Sequence, residues 1–105
     1  MSIDNRTLKQ YRTIGHRLSP VVIVANGLSD NINKEIARAL KEHELIKVRV
    51  HANDRDEKKQ LVEKICKDSG AELVQLIGHI ALIHKASQKP NPKLSNLIRH
   101  KELLN

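Results

Sequence analysis

The chain has 105 residues, enough for one domain with a modest core, and its 19 Lys and Arg against 12 Asp and Glu leave a charge of +7 with the six histidines neutral. Apolar residues make up 39% and charged residues 30%, too apolar for a chain kept unfolded by charge. No apolar stretch approaches the roughly 18 residues of a membrane span, no cleavable leader is seen, and Cys66 has no disulfide partner, so a cytoplasmic, reducing setting is expected.

Leu8, Tyr11, Ile14 and Leu18 recur at helical spacing and predict a first helix over about 5–17, ending before Pro20 and burying Tyr11. The β-branched run of residues 21–24 predicts a strand buried on both faces, and Asn26-Gly27 breaks it. Ser29 or Asp30 can cap a second helix running to His43, with Ile32, Ile36, Ala39 and Leu40 on one face and Lys34, Arg38 and Lys41 on the other. Residues 46–50 alternate strictly, so Lys47 and Arg49 share one face of a strand whose other face is apolar. Asp54 and Glu57 have capping-box spacing before a third helix with a stripe of Leu61, Val62, Ile65 and Cys66, stopped by Gly70. Residues 72–77 and 79–84 flank Gly78 as a tight hairpin. The order α-β-α-β-α-β-β predicts an α/β, two-layer (α+β-like) fold with a four-stranded mixed sheet. After Lys85 the Pro-rich segment cannot continue a ladder, so residues 1–85 are expected to form the domain and 86–105 a basic extension, with Leu94, Leu97 and Ile98 able to dock it as a short helix.

The excess charge sits at the ends: residues 1–20 carry a net +3, residues 21–84 balance, and residues 85–105 carry a net +4. Such a distribution points to a polyanion, and the lack of a strongly apolar terminal face favours nucleic acid over lipid. No Walker loop, Gly-x-Ser-x-Gly or His-Glu-x-x-His signature occurs. His79 and His84, five apart on one predicted strand, face opposite ways, and the other histidines are scattered, so no metal, cofactor or catalytic residue is expected. Cys66 on an apolar stripe reads as an inert buried thiol. With one Tyr and no Phe or Trp, stacking of bases on a sheet is not the main mode. What remains is recognition of the phosphate backbone, for which Asn26-Gly27, between a strand and a helix start, is suited, although an Asn-Gly pair is also ordinary turn chemistry. The Lys34, Arg38 and Lys41 stripe has a plain solvated reading too, because Glu35 and Glu42 can pair with it.

Four blocks are more specific: residues 16–24 (HRLSPVVIV), 26–29 (NGLS), 43–50 (HELIKVRV) and 71–78 (AELVQLIG). In order and spacing they resemble the CRM domain, in its small stand-alone bacterial YhbY type, over about residues 7–85. The segment 89–96 (KPNPKLSN) is similar to extensions of some members. The resemblance implies a fold similar to the C-terminal domain of translation initiation factor three, RNA binding, and association with precursors of the large ribosomal subunit. It also implies a phosphate-clamping Gly-x-x-Gly loop, of which only Gly27 is matched; Ala25 stands near the first glycine and the loop is one residue short. His84-Lys85 replaces the Tyr-Arg common in relatives.

The expectation is therefore a monomeric, non-enzymatic protein that binds ribosomal RNA. Asn26, Gly27 and Leu28 would shape the loop, and Lys34, Arg38 and Lys41 would form a charged helix face. Lys47 and Arg49 would form a charged strand face, with Arg12, Arg17 and Lys85 extending the electrostatic reach. A DNA-binding module and an adaptor whose basic tail docks an acidic partner are the alternatives.

Overall fold

A computed structural model describes residues 4–104; residues 1–3 and 105, the outermost parts of the two expected segments, lie outside them. The elements run α1 (Asn5–Gly15), β1 (Pro20–Val24), α2 (Asp30–His43), β2 (Leu45–Val50), α3 (Arg55–Ser69), β3 (Glu72–Ile77), β4 (Ile80–His84) and a short α4 (Asn96–Arg99), followed by a 3-10 turn at Lys101–Leu103. Side-chain caps explain the helix starts: Asp4, Ser29 and Asp54 each accept the amide three residues on. Glu57 reaches back in turn, but it accepts from the Asn53 amide at 3.3 Å, one residue before the cap, so the capping box is closed one position early. Gly70 closes α3 at φ +76.

The four strands form one mixed sheet in the order β1-β2-β4-β3. β1 and β2 are parallel, joined by the crossover helix α2, and β4 is antiparallel to both β2 and β3. Helices α2 and α3 cover one face through Ile36, Ala39, Leu40, Val62 and Ile65, against Val22, Val24, Ile46, Val48, Val50, Ala81 and Ile83. The other face holds Leu45, Val74 and Leu82, and α1 covers it with Ile14, together with Leu97, Leu103 and Leu104 from the C-terminal segment. A Cβ on Gly15 would meet Leu82 Cδ2 at 2.5 Å, so the missing side chain lets α1 approach β4 closely.

Several expectations shift. The first helix ends at Gly15, leaving Arg17 beyond it. β1 is not buried on both faces: it is an edge strand with Val21 and Ile23 51% and 56% exposed. A continuous apolar run does not reveal which strand is central, and here β4 and the start of β2 take that place. The hairpin turn is Gly78-His79 rather than Gly78 alone, with φ +57 at its first central residue, so His79 leaves the strand. Tyr11 and Cys66 are half-buried rather than enclosed, and burial still pushes the Cys66 thiol up.

The segment after β4 is part of the packed structure. Glu44, which follows α2 with φ +61, is buried, and its carboxylate accepts from the Ser87 amide at 2.8 Å and the Ser95 hydroxyl at 2.7 Å. His43 Nδ1 lies 2.8 Å from the Leu94 carbonyl, and Asn96 Nδ2 donates to the Leu45 carbonyl at 2.6 Å. A positive φ at a glutamate costs about 1–3 kcal/mol and persists where surrounding bonds over-determine it. They do so here, because the Glu44 amide bonds Leu40 and its carbonyl accepts from Lys85. The segment thus forms a strap passing the C-terminal end of α2 and ending against α1.

Candidate nucleic-acid interface

The two ends of β1 carry different chemistry. At its C-terminal end, Gly27 takes φ +79, and a Cβ built there would have nothing within 4 Å, so the glycine answers a backbone need and not a packing one. Asn26 and Gly27 are exposed, Leu28 packs on the core, and the Ser29 cap leads into α2. Ala25, Asn26 and Gly27 form one wall of a recess of about 570 Å³; His51, Ala52, Asn53 and Glu57 form the other. The His51 amide donates to the Val24 carbonyl at 2.9 Å, tying the two loops together. No Lys or Arg lines this recess, and Asp30 and Glu57 stand in the first turns of the adjoining helices. It offers two Asn side chains, an imidazole and one carboxylate, and little positive charge.

Beside it, His51 and His79 stack with ring centroids 6.4 Å apart and planes 22° from parallel. The pairing was not legible in sequence, because the residues are 28 apart and on different loops. Lys58 Nζ fixes the second loop by donating to the Gly78 carbonyl at 2.7 Å.

Lys34, Arg38 and Lys41 lie exposed on the outer side of α2, as their spacing requires. Lys47 and Arg49 share a strand face, but it is the face toward α1, because residues 46, 48 and 50 point to α2 and α3. The sheet therefore separates the two basic sets. In register, Ile23, Arg49, Ile80 and Ile77 form a row across the uncovered part of that face, with Arg49 exposed among apolar neighbours. Arg12 and Arg17 belong to α1 and its exit, on the same side as Lys47 and Arg49.

Lys85 is drawn to the opposite side, where its Nζ donates to the Ser69 carbonyl at 2.9 Å, at the negative end of α3. Together with Lys41 and the strap residue Lys89 it lines a cleft, so one member of the helix stripe meets the tail. His84, on the α1 face, packs on Tyr11 with ring centroids 4.8 Å apart. Burial lowers the basicity of its imidazole, with Glu44 and Glu72 pulling the other way. Among the described residues no group of three or more His, Cys, Asp or Glu could hold a metal ion, and no helix is long and apolar enough to cross a membrane.

Residues 3–85 match the CRS1/YhbY (CRM) domain. A protein of Pseudomonas aeruginosa named Probable RNA-binding protein PA4753 is 44% identical over 100 residues, covering 94% of this chain and 96% of its own. The RNA-binding protein of Haemophilus influenzae is 39% identical over 88 residues, covering 82% and 89%. In three dimensions, the solution structure of SAV1595 from Staphylococcus aureus superposes with a TM-score of 0.74 at 30% identity, over 90% of this chain and 98% of that one.

Proposed function

The chain belongs to the CRS1/YhbY (CRM) domain family, and from that premise we propose that it is a cytoplasmic, non-enzymatic RNA-binding protein that holds ribosomal RNA during assembly of the large ribosomal subunit. The observation that carries the reading is the Asn26-Gly27 turn: exposed, left-handed at Gly27 with no side chain crowding that position, and opening onto a recess whose one carboxylate, Glu57, is engaged by the Asn53 amide and the helix start. A phosphate seated there would accept from the backbone, while Lys34 and Arg38 on α2 supply charge from the side. Lys41 joins Lys85 and Lys89 further along. Contacts to phosphate and ribose fix RNA geometry without reading sequence, as suits a structured RNA and a chain nearly free of aromatic side chains.

The test is competition between large-subunit ribosomal RNA fragments, unrelated RNA and duplex DNA for the full chain at fixed salt. The fragments are expected to win, and the combined Lys34→Ala, Arg38→Ala and Lys41→Ala variant to lose most of that preference. Equal binding of duplex DNA would favour a DNA-binding module. Retention of protein partners after ribonuclease treatment of a lysate would favour an adaptor.

A further inference from the structure

The opposite end of β1 holds a second cleft, of about 280 Å³, between the α1–β1 connection and the strap. Its polar walls are Arg17, Ser19, His43, Asn96, Arg99 and His100, with no carboxylate among the lining residues. Two guanidinium groups thus come together from residues 82 positions apart, at a place built only when the strap is docked. The walls are held firmly: Asn96 is tied to the Leu45 carbonyl, His43 to the Leu94 carbonyl, and His100 Nδ1 lies 2.9 Å from the Asn96 carbonyl.

Among the described residues, three carboxylates that pair with these walls or with the strap have partners. Glu44 is buried and engaged by Ser87 and Ser95. Glu42 lies 3.8 Å from His43 Nε2, and Glu102 lies 3.4 Å from Arg17 Nη1 with both side chains more than half exposed. An exposed pair of that kind contributes little and yields readily to a phosphate, which a guanidinium can grip with two parallel hydrogen bonds.

We propose that this strap-built cleft is a second phosphate site, in which Arg17 and Arg99 hold a phosphodiester of the same RNA whose backbone meets the Asn26-Gly27 turn. The proposal rests on the RNA-binding reading and deepens it. Four residue steps of β1, about 13 Å at ~3.3 Å each, separate the two ends, so one structured RNA can span both. The strap is then a positioned half of a site and not a diffuse cationic tail.

The experiment titrates a labelled stem-loop oligoribonucleotide with the full chain at several salt concentrations. Arg17→Gln and Arg99→Gln are each expected to weaken binding by about three- to tenfold and to flatten the slope of log affinity against log salt by roughly 0.7–0.9. Lys101→Gln, an exposed tail charge outside the cleft, should stay within about twofold. Ser95→Ala changes no charge but removes the hydroxyl that Glu44 holds, and should weaken binding as much as Arg99→Gln. If Arg99→Gln merely matches Lys101→Gln, or Ser95→Ala binds like the parent while amide exchange shows the strap released, the cleft is overturned. If the parent chain does not bind the stem-loop, yet inorganic phosphate shifts the Arg17 and Arg99 side-chain resonances, the RNA reading falls and the phosphate site stands. Equal shifts with a polyglutamate peptide would overturn the assignment to phosphate.

Discussion

The turn end of β1 and the strap end differ in how they are made. The Asn26-Gly27 turn is a local device: residues adjacent in sequence, one positive φ, and a recess without cationic side chains. The strap end is assembled by hydrogen bonds spanning 43 to 51 residues, and it gathers arginines at the cost of burying a carboxylate. Of the two clefts, the one at the turn is shaped by backbone and the one at the strap is lined by guanidinium groups, at opposite ends of one edge strand. On the proposed RNA reading, backbone presentation at the turn would discriminate geometry, while guanidinium groups at the strap would contribute affinity through counterion release.

The largest expected effect falls on the strap. Glu44→Ala leaves the Ser87 amide and Ser95 hydroxyl without their acceptor and keeps a side chain at φ +61, so it should destabilise by about 2–3 kcal/mol in chemical denaturation. Amide exchange should rise in residues 86–104 before it rises in β2 and β4. Uniform exchange across both would break the distinction between an assembled end and a local one.

At the turn, the Cβ of Gly27→Val would meet no atom within 4 Å, so its cost should be mainly conformational, about 1 kcal/mol or slightly more. RNA affinity should fall more than that stability loss suggests. A folded Gly27→Val protein with parental affinity would remove the turn from the interface and leave the strap as the dominant site.

Cys66, on α3 away from both ends, serves as a control. Cys66→Ala should cost about 1 kcal/mol, since a small, half-buried group is lost, and should leave RNA affinity unchanged. The raised thiol also predicts slower alkylation near pH 8 than for an exposed cysteine, with the rate climbing as pH increases.

The smallest effect is on pH dependence. Burial favours neutral His84 in the folded chain, so as pH falls below about 6.5 the unfolded chain takes up this proton first. Stability should therefore decline on acidification between that value and the lower folded one, and this contribution should be level above it. His84→Gln should flatten that part of the profile in denaturation series, and an unchanged profile would place the sensitivity elsewhere. The residue sits one position before Lys85, whose amide bonds the Glu44 carbonyl, so the measurement also reports on the root of the strap.

Periodicity, caps and breakers determined the elements. The alternation in residues 46–50, the Ser29 and Asp54 caps, and Gly70 are local rules, decided within a few residues by backbone geometry and side-chain reach. The same rules placed Lys34, Arg38 and Lys41 on one helix face and Lys47 and Arg49 on one strand face. Tertiary structure alone decided that the sheet stands between those faces, that β1 is an edge with one side open, and that His51 stacks beside His79. It also decided that the tail is a strap, because a Ser or Asn in a Pro-rich segment reads as turn chemistry until the buried carboxylate and carbonyl it meets are known. Local preferences act over a turn of chain, whereas a hydrogen bond across 51 residues exists only once packing has closed the loop between its partners.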